Sequence, residues 1–215
     1  VVFEKNGAEG TVSAEYVLVS TGRKANSAGL GCEELGIRME RGFIQVDSHM
    51  RTSVPGIYAA GDITGQGMLA HTASEGGVVA VENMAGIDRE LRLNAVPKVV
   101  FVDKEVASVG MTREEAERAG MDVVTGTFSL AGNGKSLAMG KNQGFVTVVA
   151  DREHHAILGL HMLGPCASEL VALGTQMIAP ELLLEDVECA IYPHPAVAEA
   201  IREACLDALG RVVHA

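Results

Sequence analysis

Apolar and polar positions along the chain change rhythm several times, and each change predicts an element. At the start, VVFEKNGAEGT alternates about Asn6-Gly7, which predicts a β-hairpin. The apolar run Tyr16–Val19 then reads as a buried strand ending at Thr21-Gly22, followed by a polar connection from Arg23 to Asn26. GFIQVD (42–47) predicts another strand, and GIYAAGD (56–62) an entirely buried one. From Leu69 to Ala85 the spacing is helical, with small residues on one side and Gly86 placed to stop the helix at its C′ position. Together these elements predict an α/β layer.

Residues 88–97 are charged and then broken by Pro97, a composition that predicts a domain boundary. Beyond it a β-α-β-β-β-α order is expected. PKVVFVD and EVASVG read as strands, and Thr112–Ala119 as a short helix with Thr112 at its N-cap and Glu115 closing a capping box. Strands are expected at Val123–Phe128, Phe145–Ala150 and Ala156–Leu163, and helices at Ala167–Ala179 and Val197–Leu209. Strands grouped before helices argue for an α+β domain.

Composition narrows the function classes. With 215 residues, 47% of them hydrophobic and 21% charged, the chain can bury one large or two small cores and does not have the make-up of a disordered protein. Its formal charge of −11 argues against nucleic-acid or anionic-membrane binding, both of which need a basic footprint. No apolar run approaches the roughly 20 residues that span a bilayer. Cys32, Cys166, Cys189 and Cys205 are widely spaced, without C-x-x-C or zinc-ligand intervals to His, so no metal site is expected and four reduced thiols in the cytoplasm are. Because Val1 already stands inside an expected strand, the chain reads as the C-terminal part of something longer.

Candidate chemistry is uneven. GNGKS (132–136) has Ser129 where a phosphate-binding loop needs its first glycine, and reads as a glycine-rich turn. His154-His155 lacks further ligands nearby and reads as a solvated turn. The stretch RTSVPGIYAAGD (51–62) puts small residues, then Gly61 and Asp62, at the carboxyl end of an expected strand. Ligands of open α/β sheets bind there, and an aspartate can accept from a sugar-like hydroxyl; a buried strand ending in a turn aspartate fits equally. MLAH (68–71) opens the expected helix, whose free N–H groups and positive dipole end suit an electron-rich ligand atom. Finally, IYPHPAVAEA (191–200) fences His194 between Pro193 and Pro195 and sets Glu199 about one turn on. A histidine with a carboxylate on its second ring nitrogen has a fixed tautomer and can exchange protons near neutrality. A helix-start histidine beside an ordinary exposed glutamate is the alternative.

The order TGR (21–23), T-S-V-P-G-I-Y-A-A-G-D, M-L-A-H, then an α+β domain ending in H-P-x-x-x-E, resembles the FAD-dependent pyridine nucleotide–disulfide oxidoreductases. EVASVGMTREEA, SLAMGKNQGFV, ILGLHMLGPCASEL and HPAVAEAIREA look like stretches of that family's dimerisation domain, and the likeness covers nearly the whole chain. The resemblance implies that residues 1–24 end an NAD-binding domain, with Gly22 near the dinucleotide. It implies that 25–92 are the returning segment of the FAD domain, with Gly61 and Asp62 at the flavin's ribityl or phosphate region and Met68, Leu69, Ala70 and His71 under its ring. Residues 93–215 would form the interface domain of a homodimer. His194 would be the base that deprotonates a dithiol, Glu199 would hold and charge it, and the histidine would serve the other subunit's disulfide. A cis bond before Pro195 is implied too.

Within the family the likeness is greatest to the branch acting on dihydrolipoyl groups, which implies lipoyl-bearing proteins of 2-oxoacid dehydrogenase or glycine cleavage complexes as partners. Other disulfide reductases of the family, glutathione- or mercuric-reductase-like, are the alternative; RVVHA lacks the terminal cysteine pair of the mercuric type. Lys104 stands where the family usually has proline. The family's C-x-x-x-x-C redox pair and its two glycine-rich fingerprints are absent, so this chain alone is expected to be inactive, or to act only as a dimerisation module.

Overall fold

The computed structural model describes residues 1–214, in two compact units, 1–89 and 90–214. In the first unit, strands β1 (Val2–Lys5) and β2 (Ala8–Thr11) form the expected antiparallel hairpin. Asn6 and Gly7 both take positive φ, 54° and 78°, as a primed two-residue turn requires. A second small ribbon pairs β3 (Met39–Glu40) with β4 (Phe43–Ile44). Cys32, Ile37 and Ile44 form a small core with Met39, Val46, Val54, Ile57, Ala59 and Ile63 packed on it. Helix α1 (Ala70–Met84) ends as expected. Gly86, at φ 83°, donates to Asn83 O and Ile87 donates to Glu82 O, the two bonds of a Schellman cap.

Three expectations in this unit need correction. Tyr16–Val19 is no buried strand: it has no ladder partner, and Tyr16 and Leu18 are 84% and 90% exposed. GFIQVD pairs only through Phe43–Ile44, and GIYAAGD forms a single bridge, Tyr58 to Arg51, with its residues half-buried. An apolar run becomes a buried strand only where neighbouring strands satisfy its backbone along its length and helices cover its faces; Tyr16–Val19 has no such ladder, and the other two segments have only a two-residue pairing and a single bridge.

The second unit is built on a five-stranded antiparallel sheet. Its strands are β5 (Lys98–Val100), β6 (Val106–Gly110), β7 (Val123–Ser129), β8 (Phe145–Asp151) and β9 (Ile157–Leu163), in the order β5-β6-β9-β8-β7. Val146, Val148, Leu160 and Met162 form the main core with residues of α4 (Ala167–Ile178) and α6 (Glu199–Ala208), among them Val171, Ile178, Ile201 and Ala204. A smaller cluster, Ala116, Val123 and Val149, seats α2 (Arg113–Arg118). The capping box of α2 is present: Glu115 N–H donates to Thr112 Oγ1 (3.2 Å) and Thr112 N–H to Glu115 Oε2 (2.9 Å). Strand β5 is shorter than expected, leaving Phe101 outside the ladder, and α6 begins at Glu199, two residues later than expected. Two short helices were not anticipated, α3 (Gly134–Ala138) and α5 (Leu184–Cys189).

Gly126 of β7 fixes how α6 lies on the sheet. A Cβ there would fall 2.0 Å from Ala204 O and 2.3 Å from Ala208 N, so only glycine lets helix and strand backbones approach this closely. That contact seats the helix whose first residue is Glu199.

Candidate active site

His194 and Glu199 do form a pair. Chain leaving α5 runs through Ile191–Pro193, makes a cis peptide bond between His194 and Pro195, and enters α6. His194 Nδ1 lies 2.9 Å from Glu199 Oε1. An ionised carboxylate can only accept, so the proton of this bond sits on Nδ1, and in the neutral ring Nε2 keeps its lone pair. The imidazole is 78% exposed whereas Glu199 is largely covered. The acceptor is therefore anchored and its partner is presented. Glu199 Oε2 meanwhile accepts from Ala196 N–H at 2.8 Å. Both carboxylate oxygens are thus committed within one six-residue turn.

The electrostatics follow from that geometry. Burial disfavours the Glu199 carboxylate, but the hydrogen bonds from Ala196 and His194, with the charges of His194 and His214, outweigh it and hold its pKa below the ordinary value. Near neutrality the residue is a fixed negative charge behind the imidazole. One turn along α6, Glu203 is buried and accepts from His214 Nδ1 at 2.9 Å. Cys205, fully buried on the same helix, has its thiol pushed up to about 12 by burial, which removes it from thiolate chemistry.

The residues assigned to cofactor binding belong to the first unit. Gly61 takes φ 84°, and Asp62 follows in a turn of 3-10 helix. Asp62 Oδ2 accepts from Arg23 NH1 at 2.8 Å, which brings the TGR stretch and its neighbour Gly22 (φ 124°) into register with the AAGD turn. Met68 adopts a positive φ of 45°, Leu69 is extended, and α1 starts at Ala70 with no side chain capping it. The start of α1, at Ala70, is therefore not closed by a side-chain cap. Beside it, Thr72 Oγ1 and Gln66 Oε1 are buried without a hydrogen-bond partner. Buried polar atoms without partners cost free energy unless something else satisfies them. An uncapped helix start beside orphaned donor and acceptor atoms fits the polar edge of a flavin.

Sequence reasoning missed two features. Asn133, within the stretch read as a glycine-rich turn, is a buried N-cap: its Oδ1 accepts from Ser136 N–H (2.9 Å), and its Nδ2 donates to Ala196 O (2.9 Å). Asparagine directly before a short polar run was the available signal; its partner 63 residues on carried none. His155, read as solvated, pairs with Glu185 Oε1 at 2.6 Å.

Residues 96–205 match the pyridine nucleotide-disulphide oxidoreductase dimerisation domain, and residues 2–77 match the pyridine nucleotide-disulphide oxidoreductase domain. Dihydrolipoyl dehydrogenase of Geobacillus stearothermophilus is 42% identical over 215 residues, all of this chain and 46% of that protein. The Pseudomonas aeruginosa enzyme of the same name is 39% identical over 208 residues, 97% of this chain and 45% of that protein. The chain thus spans about half the length of these relatives. Among solved structures, LpdA of Mycobacterium tuberculosis superposes with a TM-score of 0.80 at 29% identity, over 85% of this chain and 40% of LpdA. The flavoprotein disulfide reductase RclA of Escherichia coli, at 24% identity and TM-score 0.82 over 95% of this chain and 47% of its own, shares the fold. The chain belongs to the pyridine nucleotide–disulphide oxidoreductase family.

Proposed function

We propose that this chain is the C-terminal part of a flavoenzyme that oxidises protein-bound dihydrolipoamide to lipoamide with NAD, and that His194 and Glu199 are its acid–base pair. The observation that carries the reading is the Nδ1–Oε1 bond of 2.9 Å with the imidazole exposed. His194 Nε2 takes the proton from a dihydrolipoyl S–H, releasing the thiolate that attacks a disulfide. Glu199 keeps the Nδ1–H tautomer and balances the imidazolium that forms. Bound FAD would supply the two-electron path from dithiol to NAD. Gly22, Gly61, Asp62 and the stretch Met68, Leu69, Ala70 and His71 are the residues we assign to the two cofactors.

On this reading residues 1–24 close the NAD domain, 25–92 return to the FAD domain, and 93–215 pair two subunits. Val100, Phe101 and Val102 expose apolar side chains that suit such pairing. His194 then serves the partner's disulfide, the redox cysteines come from the rest of the enzyme, and this chain alone is inactive. We take the lipoyl-bearing proteins of 2-oxoacid dehydrogenase or glycine cleavage complexes as the substrates' carriers, and the cytoplasm, where the four thiols stay reduced, as the setting.

The test is NADH formation from dihydrolipoamide and NAD by the full-length, flavin-loaded protein beside its His194→Gln variant. Loss of the base should lower turnover by roughly 10² or more. Absence of wild-type turnover would reject the lipoyl assignment in favour of another disulfide substrate.

A further inference from the structure

We propose that Asn133 is a positioning residue for the His194–Glu199 pair, acting through the peptide of Ala196. This rests on the acid–base reading above. Asn133 is 3% exposed and follows a buried leucine, Leu130, that anchors the segment after β7. Its Oδ1 accepts from Ser136 N–H and Ser136 Oγ, both at 2.9 Å, and Ser136 is fully buried. With its oxygen so committed, the amide can present only Nδ2 to the active-site turn, where it donates to Ala196 O at 2.9 Å.

Ala196 is held at both ends of its polar backbone. Its carbonyl takes the Asn133 hydrogen bond and its N–H donates to Glu199 Oε2 (2.8 Å), while Glu199 Oε1 takes the His194 bond. The path from Asn133 to His194 is therefore three consecutive hydrogen bonds about one residue and one carboxylate. The turn carries an exposed imidazole, and Glu199 of α6 reaches that ring through this bond. Fixing Ala196 fixes where the carboxylate aims, and the carboxylate fixes the ring. Catalytic groups displaced by about 1 Å lose on the order of 10² in rate, so a clasp remote from the reacting atoms still acts on turnover. Besides Glu199, the charged groups at this end of α6 are Arg202, Glu203 and His214: Arg202 donates to Glu188 O and lies 3.8 Å from Glu203, which accepts from His214 Nδ1.

Asn133→Asp separates this role from helix capping. Aspartate keeps acceptor oxygens for Ser136, being as good an N-cap as asparagine, but sets an oxygen against Ala196 O. In the full-length, flavin-loaded protein, kcat should fall roughly 10- to 100-fold while KM for dihydrolipoamide moves less than about threefold. Selective ¹⁵N-histidine spectra, with His194 assigned by its loss in His194→Gln, should show the Nδ1–H tautomer in wild type and a tautomer mixture in the variant. Asn133→Ser, which still caps but cannot reach Ala196, should behave alike. Thr112→Ala removes a cap elsewhere in the unit and serves as the stability control, leaving kcat and the tautomer unchanged.

Retention of kcat and of the Nδ1–H signal in Asn133→Asp would overturn the assignment, as would equal losses in Thr112→Ala. Failure of both Asn133 variants to fold would also overturn it, making the residue part of the fold alone. A wild-type His194 with its proton on Nε2 would instead sink the acid–base reading itself, so the two failures are distinguishable.

Discussion

Glu199 Oε1 holds His194 Nδ1 at 2.9 Å while the same carboxylate, through Oε2, holds Ala196 N–H at 2.8 Å. A charge that satisfies both partners cannot be replaced by an amide without turning one acceptor into a donor. Glu199→Gln should therefore lower turnover of the full-length enzyme by about 10-fold or more, measured as NADH formation. An unchanged rate would remove Glu199 from the machinery.

The same carboxylate sets a pH signature. Its pKa is lowered in the fold, so its contribution to stability is complete above the ordinary glutamate value, about 4.3, and is lost as pH falls through the lowered value. The stability difference between wild type and Glu199→Gln, from urea midpoints, should shrink as pH falls below about 4.3. A difference that grows on acidification would contradict the hydrogen-bonded geometry.

Gly126→Ala should be among the most damaging single-methyl additions in the second unit. The new Cβ would meet backbone, Ala204 O at 2.0 Å and Ala208 N at 2.3 Å, which cannot swing aside as a side chain would. Overpacking against rigid neighbours costs about 1–3 kcal/mol or more, and here the relief is a shift of α6, which carries Glu199. Urea unfolding should register the loss, and the His194 tautomer signal should weaken with it. A stable variant with an unmoved histidine would show that α6 is seated by other contacts.

The alternating stretches FVTVVAD and ILGLHML were legible because their periodicity matches a half-buried ladder that this chain completes by itself. Tyr16–Val19 was misread because an apolar run alone does not supply the paired strands and covering helices that bury a strand. His194 and Glu199 were legible because five residues and a following helix start confine them to one turn. Asn133 was not, because its bond to Ala196 joins positions 63 apart and depends on α3, too short to leave a periodic trace.

The four thiols should divide two and two. Cys166 and Cys189 are exposed, whereas Cys32 and Cys205 are buried, with Cys205 pushed up to about 12 by desolvation. Thiolate is the reactive form. Iodoacetamide at pH 8 should label Cys166 and Cys189 in the native chain, and Cys205 only after urea unfolding, as read by peptide mass spectrometry. Fast native labelling of Cys205 would mean that α6 opens locally.

Thr72 offers a test of the flavin assignment that separates binding from folding. Its hydroxyl is buried with no partner, so it gains nothing in the cofactor-free chain and still bears the cost of desolvation. Thr72→Val keeps the shape and removes the orphaned group. Cofactor-free stability should then be unchanged or higher, by up to about 1 kcal/mol, while flavin retention by the full-length protein should weaken several-fold. Urea midpoints report the first effect and flavin absorbance after gel filtration the second. Lower stability together with undiminished flavin retention would show that Thr72 serves the fold and that the uncapped start of α1 faces some other group.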